Sequence, residues 1–572
     1  MSNEFAGGPK APKDAVKKRP AFCIMKDKQI CASPQIDGSG VCFIYEDGGR
    51  LNDAARIIGS ITDEEMIGML TKVDTFRKLV HSIGVTAEAD DNDSVIFDFQ
   101  MYGHKDPYAS GTTLSMEVPT DGMEHVMVLS DYEWSDDDNV PGQIRFKLSH
   151  GGDMGKVTVR FYLNDGFEAP EEEELNPVDF SSEAYKDMIA QSLMNKGNNV
   201  RLKRALDKAR SKEDVTLAFI GGSITQGAGA TPINTECYAY KIFEGFCKMT
   251  GCGTDENVHY SKAGVGGTPS ELGILRYDRD VLKSGKVSPD IVVVEFAVND
   301  EGDETKGEFY DSLVRKIYNG PGKPAVILLF AVFSNDYNLQ ERLSPVGMAY
   351  NLPMVSTKNS VTPQFAKKSG EGKIVSRSQY FYDCFHPTNV GHTIMADGVI
   401  NLLETADKEE YDEKEVDISS IEPPVGGEFE NIIVFDRKDN TVGAVIAEGD
   451  FTDTDKVIQA VERDMDLTAT PQFPDNWLYK GAPGKKGVPL TVDVKCSAFV
   501  IVYKDSADTF VGEADVYCDG EKKITINPRE IGWTHCNPLI VIRNAENKMH
   551  HIEVVPKDPQ KDFTVLGFGI CR

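Results

Sequence analysis

A serine that directly follows a strongly apolar run is the first residue whose position indicates chemistry. Ser223 lies in IGGSITQGAGA (220–230), immediately after the run VTLAFIGG (215–222). Ligands gather at the carboxyl ends of parallel strands, so Ser223 is placed where a nucleophile would lie. The segment is not a phosphate-binding loop, because Ala228 stands where the lysine of that motif must be. It also departs from the GxSxG nucleophile elbow, because Thr225 replaces the last glycine.

Two further segments carry groups that could donate hydrogen bonds to an oxyanion. SKAGVGGTPSELG (261–273) is a glycine-rich turn leading into a predicted helix, and backbone N–H groups at such a turn can bind an anion. VVVEFAVND (292–300) is an apolar strand followed by Asn299, whose side-chain N–H can point to the same sheet edge. Taken alone, the first segment is better explained as a plain loop, and the second fits a turn or helix cap equally well.

An aspartate and a histidine downstream complete the set. In YFYDCFHPTNVGH (380–392), Asp383 and His386 are three positions apart, so one turn brings both side chains to the same side. His386 could take a proton from Ser223 while Asp383 holds the imidazole ring. Taken alone, the pair also fits surface residues at the start of a helix. His392 is interpreted as a helix-surface residue rather than a second base.

The elements that must position these residues alternate between apolar strands and amphipathic helices. Continuous apolar runs, typical of strands buried on both faces, are found at 215–222, 290–300 and 325–333. Helical patterns occur at 308–318 and 392–404. The pattern predicts an α/β region with a mostly parallel sheet.

Different patterns flank this region on both sides. Short alternating strands predict an N-terminal β-sandwich-like domain over 21–176 and a C-terminal, jelly-roll-like β-sandwich over 428–572. Residues 407–427 form an acidic linker, and the Pro- and Lys-rich residues 1–20 are expected to be a disordered tail. The catalytic domain, with a helical lead-in, is therefore predicted to span 177–406.

The order Ser, Gly, Asn, then Asp-x-x-His resembles the SGNH (GDSL-like) hydrolase family, which is named for such residues. The resemblance covers about residues 200–405, and the GGSIT form is similar to the carbohydrate (acetyl) esterase branch. It implies a flavodoxin-like three-layer α/β/α fold and ester hydrolysis through an acyl-serine. It also implies a substrate class, acetylated plant-derived oligosaccharides such as xylo- or manno-oligosaccharides.

The same resemblance assigns a role to each candidate residue. Ser223 would be the nucleophile, His386 the general base and Asp383 the residue that orients it. The oxyanion hole would combine the N–H of Ser223, the N–H of Gly267 and the side chain of Asn299.

The chain departs from the family pattern at two positions. Gly222 stands where the family's GDS motif has its aspartate, and Lys262 replaces the asparagine that usually opens the second block. Gly267 is preferred to Gly266 because it follows Lys262 by five places. Neither departure removes one of the residues to which the resemblance assigns a catalytic or oxyanion-binding role.

The tryptophans lie outside the predicted catalytic domain, at Trp134, Trp477 and Trp533. Because sugars stack on aromatic faces, Trp477 and Trp533 are candidate substrate-binding residues. The alternative is that they fill β-sandwich cores. The C-terminal region itself resembles the jelly-roll domain attached to some acetyl esterases.

The amino-acid composition excludes several classes of binding partner and cofactor. The 572 residues contain 61 Lys and Arg against 91 Asp and Glu, a net charge of −30, which argues against nucleic acid and anionic membranes. The 11 cysteines form no CxxC pair, and no acidic cluster matches a calcium loop, so no metal and no cofactor are expected. The N-terminus has no apolar signal region and no run could span a membrane, so a cytoplasmic protein is expected. Self-association is left open.

Three functions remain open on the sequence alone. The leading hypothesis is a serine esterase that removes O-acetyl groups from oligosaccharides. The second is a lipase, lysophospholipase or thioesterase of the same family, which would need an apolar acyl channel. The third is a carbohydrate-binding protein with an inactive hydrolase centre.

Overall fold

The computed structural model describes residues 19–35, 37–45, 49–170, 176–253, 256–368, 370–463 and 466–572. The predicted tail therefore lies almost wholly outside the described residues. Contacts divide the chain into two compact units, one of Met1–Val178 with Lys367–Thr388 and one of Asp179–Ala366 with Asn389–Arg572. This grouping differs from the predicted boundaries at two places. It puts Lys367–Thr388 with the N-terminal region, and it joins the C-terminal β region to the α/β region.

The elements follow one another along the chain in this order. The strands of the first unit are β1 (Ala21–Cys31), β2 (Ser33–Pro34), β3 (Gly40–Tyr45), β4 (Val80–Glu88), β5 (Ser94–Gly103), β6 (Thr113–Pro119), β7 (Asp121–Val128), β8 (Asp138–Leu148) and β9 (Met154–Leu163). Those of the α/β region are β10 (Leu193–Asn195), β11 (Val215–Gly221), β12 (Val258–Gly264), β13 (Ile291–Glu295), β14 (Ala325–Phe330) and β15 (Met354–Ser356). Those of the C-terminal region are β16 (Ile433–Phe435), β17 (Val445–Ala447), β18 (Ala460–Arg463), β19 (Asp466–Pro471), β20 (Trp477–Tyr479), β21 (Leu490–Cys496), β22 (Ala498–Asp505), β23 (Ala514–Cys518), β24 (Glu521–Ile526), β25 (His535–Ile542), β26 (Lys548–Pro556) and β27 (Phe563–Cys571). The helices are α1 (Arg50–Ile57), α2 (Glu64–Met69), α3 (Val73–Leu79), α4 (Glu183–Ala190), α5 (Val200–Arg210), α6 (Ser223–Gln226), α7 (Ile233–Glu236), α8 (Tyr238–Thr250), α9 (Ser270–Asp280), α10 (Glu308–Asn319), α11 (Gln340–Ala349), α12 (Thr357–Phe365), α13 (Arg377–Tyr380) and α14 (Asn389–Lys408).

The first unit contains two antiparallel sheets. Their strand orders are β1-β9-β4-β7 and β2-β3-β8-β5-β6. Inward-facing residues of both sheets, among them Phe22, Phe97, Phe146 and Phe161, belong to one apolar core. The alternating sequence pattern of this region thus reflects strands with one face buried.

The second unit is built on a sheet of order β10-β15-β14-β13-β11-β12-β18-β19. Within this sheet the neighbouring strands β15, β14, β13, β11 and β12 all pair in parallel. Their apolar runs are almost completely buried, and helices follow the strands, which confirms an α/β region. The hairpin of β18 and β19, from the C-terminal region, pairs antiparallel with β12. It covers an edge that would otherwise leave backbone N–H and C=O groups unpaired.

The remaining C-terminal strands form two antiparallel sheets. Their orders are β16-β27-β22-β25, with β20 on β27, and β17-β21-β26-β23-β24. Trp477 is fully buried between them and packs on Phe568 with 5.3 Å between ring centroids. Within the described residues, no helix has the length and apolarity needed to cross a membrane.

Candidate active site

Ser223 is the first residue of the short helix α6, directly after the buried strand β11. Gly222 makes the turn between them, and Gly227 ends the helix with a left-handed φ of 108°. The N–H groups of Gly227 and Ala228 both bond to the Ser223 carbonyl at 3.0 Å, so the loop closes tightly behind the serine. The Ser223 side chain is half-buried. The backbone N–H of Ser223 is in the first turn of α6, where N–H groups have no acceptor within the helix.

A chain of buried polar side chains packs against α6. Thr225 Oγ1 lies 2.7 Å from Tyr238 Oη and 3.2 Å from Glu295 Oε2, and all three residues are fully buried. Burial raises the pKa of Glu295 to about 8, so its side chain is mainly neutral at pH 7. Thr225, the residue that breaks the GxSxG pattern, is therefore an anchor of this turn.

Two buried cations hold the backbone at the ends of β11, β12 and α6. The Arg276 guanidinium donates to the carbonyls of Gly221 (2.8 Å) and Ala263 (2.9 Å). Gly221 is the last residue of β11, and Ala263 is the last but one of β12. Burial lowers the pKa of Arg276 to about 10, although Asp280 lies 3.5 Å away. Lys262 Nζ donates to the carbonyl of the last residue of α6 at 2.9 Å. The lysine at position 262 thus adds a contact to the C-terminal end of α6.

Gly267 sits in a tight turn at the end of β12. The N–H and hydroxyl of Thr268 both bond to the Val265 carbonyl, at 3.3 and 2.8 Å. Gly267 has φ 69°, in the left-handed region that favours glycine. Beyond the turn, Asp300 fixes the start of α9 by accepting from the N–H and hydroxyl of Ser270 at 2.8 and 2.7 Å.

Asn299 lies against the backbone of Gly222, the residue before Ser223. A Cβ at Gly222 would lie 2.3 Å from Asn299 Oδ1, so any side chain at position 222 would displace the amide. Asn299 Oδ1 is buried and has no hydrogen-bond partner among the described residues. A Cβ at Gly266 would be 3.9 Å from Ser223 Cβ, which places the glycine turn beside the serine.

The C-terminal β region covers the glycine turn. Gln459 Nε2 donates to the Gly266 carbonyl at 2.7 Å, and His535 Nε2 donates to the Gly267 carbonyl at 3.1 Å. A Cβ at Gly267 would lie 2.9 Å from Trp533 Cζ2, and the Trp533 side chain is 44% exposed. These contacts could not be read from the sequence, because they join residues about 190 to 270 positions apart.

Asp383 and His386 form a hydrogen-bonded pair in the first unit. Asp383 Oδ1 accepts from the N–H groups of Phe385 (2.8 Å) and His386 (2.7 Å), and Oδ2 lies 2.8 Å from His386 Nδ1. Burial acts to raise the pKa of Asp383, but the nearby imidazole and these hydrogen bonds outweigh it and hold the pKa well below its usual range. The carboxylate therefore fixes a proton on Nδ1 and leaves Nε2 as the basic nitrogen.

The structure thus brings the candidate residues together in two groups, one in each unit. Ser223, Gly267 and Asn299 share one edge of the central sheet, and Asp383 pairs with His386. Their roles in a reaction stay predictions.

Two aromatic side chains differ from expectation. Trp477 fills the core of the C-terminal sheets, where no ligand reaches it, so of the two candidate tryptophans Trp533 is the one with exposed surface. His392 is buried rather than at a helix surface. His392 Nδ1 accepts from the Tyr238 N–H at 3.2 Å, and its Nε2 donates to the Ala228 carbonyl at 3.1 Å. These bonds connect α14 to the loop that follows α6.

Comparison with known proteins gives the class of molecule. No protein-family profile and no curated protein sequence matches the chain. Among solved structures it is similar to a two-domain esterase (CEX) active on acetylated mannans, with 27% identity and a TM-score of 0.56 over 67% of this chain and 99% of the other. A structure of such an esterase co-crystallised with mannopentaose gives 26% identity and a TM-score of 0.55, over 67% and 98% of the two chains.

These neighbours are carbohydrate esterases, which confirms the resemblance indicated by the four sequence motifs. The similarity is consistent with an SGNH-type carbohydrate esterase.

Proposed function

We propose that the protein is a serine esterase that removes O-acetyl groups from carbohydrates, with an SGNH-type central domain and two jelly-roll-like β regions in the same chain. The observation that carries the proposal is the grouping of Ser223, the Gly267 turn and the Asn299 amide at one sheet edge. Similarity to an esterase active on acetylated mannans supports the substrate class. Acetylated manno- and xylo-oligosaccharides are the candidate substrates.

The first half-reaction transfers the acetyl group to the serine. Ser223 Oγ attacks the acetyl carbonyl carbon while His386 Nε2 takes the hydroxyl proton. The C–O bond to the sugar then breaks, and the imidazolium returns its proton to the sugar oxygen. Asp383 keeps the other ring nitrogen protonated throughout. Such general-base help contributes typically about 10²–10⁴-fold in rate.

The negative charge on the carbonyl oxygen needs donors that are already in place. The N–H of Ser223, the N–H of Gly267 and the side-chain amide of Asn299 serve this role in the proposal. Because they meet charge that exists only in the transition state, each is worth roughly 10²–10³-fold in kcat. The contacts of the C-terminal region with Gly266 and Gly267 hold this part of the hole in position.

The second half-reaction releases acetate. Water gives a proton to His386 and attacks the acetyl-serine, and the proton then returns to Ser223 as acetate leaves. No cofactor is needed for either step.

The substrate side of the proposal rests on Trp533. Its ring lies against Gly267 and remains partly exposed, so a sugar bearing the acetyl group can stack beside the oxyanion donors. A net charge of −30 favours neutral oligosaccharides over acidic ones.

The test measures acetate release from acetylated manno- and xylo-oligosaccharides, with 4-nitrophenyl acetate, butyrate and octanoate in parallel. We expect activity confined to short acyl groups, higher on the sugars, and lost in Ser223→Ala. Ser419→Ala, at an exposed 3₁₀ turn, is the matched control and keeps full activity. Preference for octanoate would instead indicate a lipase. Binding of the oligosaccharides without serine-dependent turnover would indicate an inactive centre.

A further inference from the structure

A thiol, a carboxylate and an imidazole meet at the end of β23, and none of them takes part in the proposed reaction. Cys518 is the last residue of β23, Asp519 begins the turn to β24, and His550 lies on the neighbouring strand β26. Cys518 and His550 are 4% and 5% exposed, whereas Asp519 is exposed to solvent. The cluster is therefore reachable from one side and enclosed on the other.

The donor atoms of the three side chains converge on one point. His550 Nδ1 is 2.9 Å from Asp519 Oδ2 and 3.7 Å from Cys518 Sγ. Donor atoms of the three residues all lie within 4.8 Å of one another. The His551 N–H holds the other carboxylate oxygen, Asp519 Oδ1, at 2.9 Å, which leaves Oδ2 turned to the cluster.

The second ring nitrogen of His550 has a partner outside the cluster, so Nδ1 is the nitrogen that faces Asp519 and Cys518. His550 Nε2 lies 3.2 Å from the Glu546 carbonyl oxygen. A carbonyl only accepts, so Nε2 carries the ring proton, and Nδ1 of a neutral ring presents a lone pair. Nδ1 therefore faces a carboxylate oxygen and a sulfur, and one metal ion can bind these three donor atoms together.

The separations suit a tetrahedral metal ion. Zinc binds sulfur at about 2.3 Å and nitrogen or oxygen at about 2.0–2.2 Å, so ligand atoms around a tetrahedral site are roughly 3.3–3.6 Å apart. The separation of 3.7 Å between Nδ1 and Sγ is close to that range, the 2.9 Å between Nδ1 and Oδ2 is shorter, and the donor atoms of Cys518 and Asp519 lie within 4.8 Å of each other, so small side-chain rotations would place all three around one ion. Thiolate, imidazole and carboxylate together are ligands that zinc accepts and that calcium or magnesium does not select.

We propose that Cys518, Asp519 and His550 bind one Zn²⁺ ion, with water as the fourth ligand. Binding displaces the thiol proton of Cys518 to solvent and forms the zinc–sulfur bond. The ion would link the β23–β24 turn to β26 and so stabilise the C-terminal sheets. Sequence spacing could not indicate this site, because no CxxC pair is present and 32 positions separate Cys518 from His550.

The first experiment is equilibrium dialysis of the full chain against zinc after chelation. We expect one tightly held zinc per chain, with affinity reduced at least about tenfold in Cys518→Ser and in His550→Gln. His551→Gln is the matched control, because His551 is the adjacent residue and pairs instead with Asp493 at 2.7 Å. It should keep wild-type zinc affinity.

Cobalt provides a spectroscopic readout of thiolate ligation that can be recorded first on the wild-type chain. Bound Co²⁺ in the wild-type chain should show a thiolate-to-cobalt charge-transfer band, which Cys518→Ser removes and Cys536→Ser keeps. Zinc should also raise the Tm of the wild type but not of Cys518→Ser. Unchanged hydrolysis of 4-nitrophenyl acetate without added zinc verifies that each variant is folded.

Three results would overturn the proposal. The first is a wild-type chain that retains no zinc, which would make the cluster an imidazolium–carboxylate pair beside a thiol. The second is zinc binding unaffected by Cys518→Ser with no charge-transfer band. The third is equal loss of affinity in His551→Gln, which would place the ion on the opposite face of β26.

Discussion

At the scale of single residues, the proposed chemistry depends on which ring nitrogen of His386 carries the proton. Asp383 decides this, because it accepts from Nδ1 at 2.8 Å and is itself held by the N–H groups of Phe385 and His386. Its lowered pKa keeps it ionised across the neutral range. In the proposed mechanism the aspartate is thus a positioning residue that acts through the imidazole.

Asp383→Asn should lower kcat by about 10²–10⁴-fold, with a smaller change in KM. The amide N–H₂ can donate to Nδ1, which moves the ring proton to Nε2 and removes the base. The measurement is steady-state hydrolysis of 4-nitrophenyl acetate. Asp493→Asn is the matched control, since Asp493 also pairs with a histidine Nδ1 but lies in the C-terminal sheets, with its side chain 44% exposed. Equal rates in Asp383→Asn and wild type would remove Asp383 from the mechanism.

At the scale of elements, the turn after β12 is held between α6 and the C-terminal region. Gly267 needs its left-handed φ, and it also has Trp533 and His535 within 3.3 Å of where a Cβ would be. Position 267 therefore tolerates neither backbone change nor added volume. This makes the turn a sensitive test of the proposed oxyanion hole.

Gly267→Ala should reduce kcat by roughly 10²-fold, the value of one misplaced oxyanion donor. Gly285→Ala is the control, because Gly285 has a similar φ of 84° but no atom within 4 Å of its Cβ position. Both variants carry backbone strain, and only the first disturbs the donor. Kinetics on 4-nitrophenyl acetate, with thermal unfolding of both variants, separates the effects. A similar loss of kcat in both would attribute the effect to strain alone.

The buried Glu295 predicts a pH dependence of stability. Its pKa rises from 4.5 to about 8 on folding, because burial disfavours the charged form. Between these values the unfolded chain releases the proton while the folded chain keeps it, so stability falls as pH rises through this window. Each unit of difference is worth about 1.4 kcal/mol.

Glu295→Gln should therefore show a smaller decrease in Tm from pH 5 to pH 8 than the wild type. The amide stays neutral in both states, so the variant gains relative stability at the upper end. The exposed Glu304→Gln is the control and should follow the wild-type curve. Parallel curves for all three proteins would show that Glu295 is ionised in the folded chain.

The strands that precede Ser223 and Asn299 could be predicted because their apolar runs are continuous. Each of the two polar residues comes within a few positions of the end of its strand. The hairpin of β18 and β19 could not, because alternation identifies a strand but not the sheet it joins. The contacts of Lys262 and Thr225 were equally hidden. Both residues break a motif pattern, and only the packing shows what each one holds.

At the scale of the whole chain, the C-terminal β region and the α/β region share one core. Phe309 of α10 stacks on Phe429 with 3.9 Å between ring centroids, and Leu275, Phe473 and Leu566 belong to the same buried cluster. The predicted acidic linker takes part, because Ile418 is also buried in that core. The two regions therefore depend on one another for stability.

A chain ending at residue 424 should consequently lose activity on 4-nitrophenyl acetate as well as on acetylated oligosaccharides. Truncation removes β18 and β19 from the sheet edge and exposes the face of α9 and α10 that packs on the C-terminal strands. Circular dichroism should show a lower Tm or no cooperative transition. Full aryl-acetate activity with selective loss on oligosaccharides would show instead that the region only binds sugars.

The most direct measurement is labelling of the full chain with a phosphonofluoridate, followed by mass spectrometry of the adduct. We predict one adduct per chain, located on Ser223, abolished in Ser223→Ala and strongly slowed in His386→Ala. The Ser419→Ala control should label at the wild-type rate. Absence of an adduct, or an adduct on another serine, would contradict a serine esterase centred on Ser223.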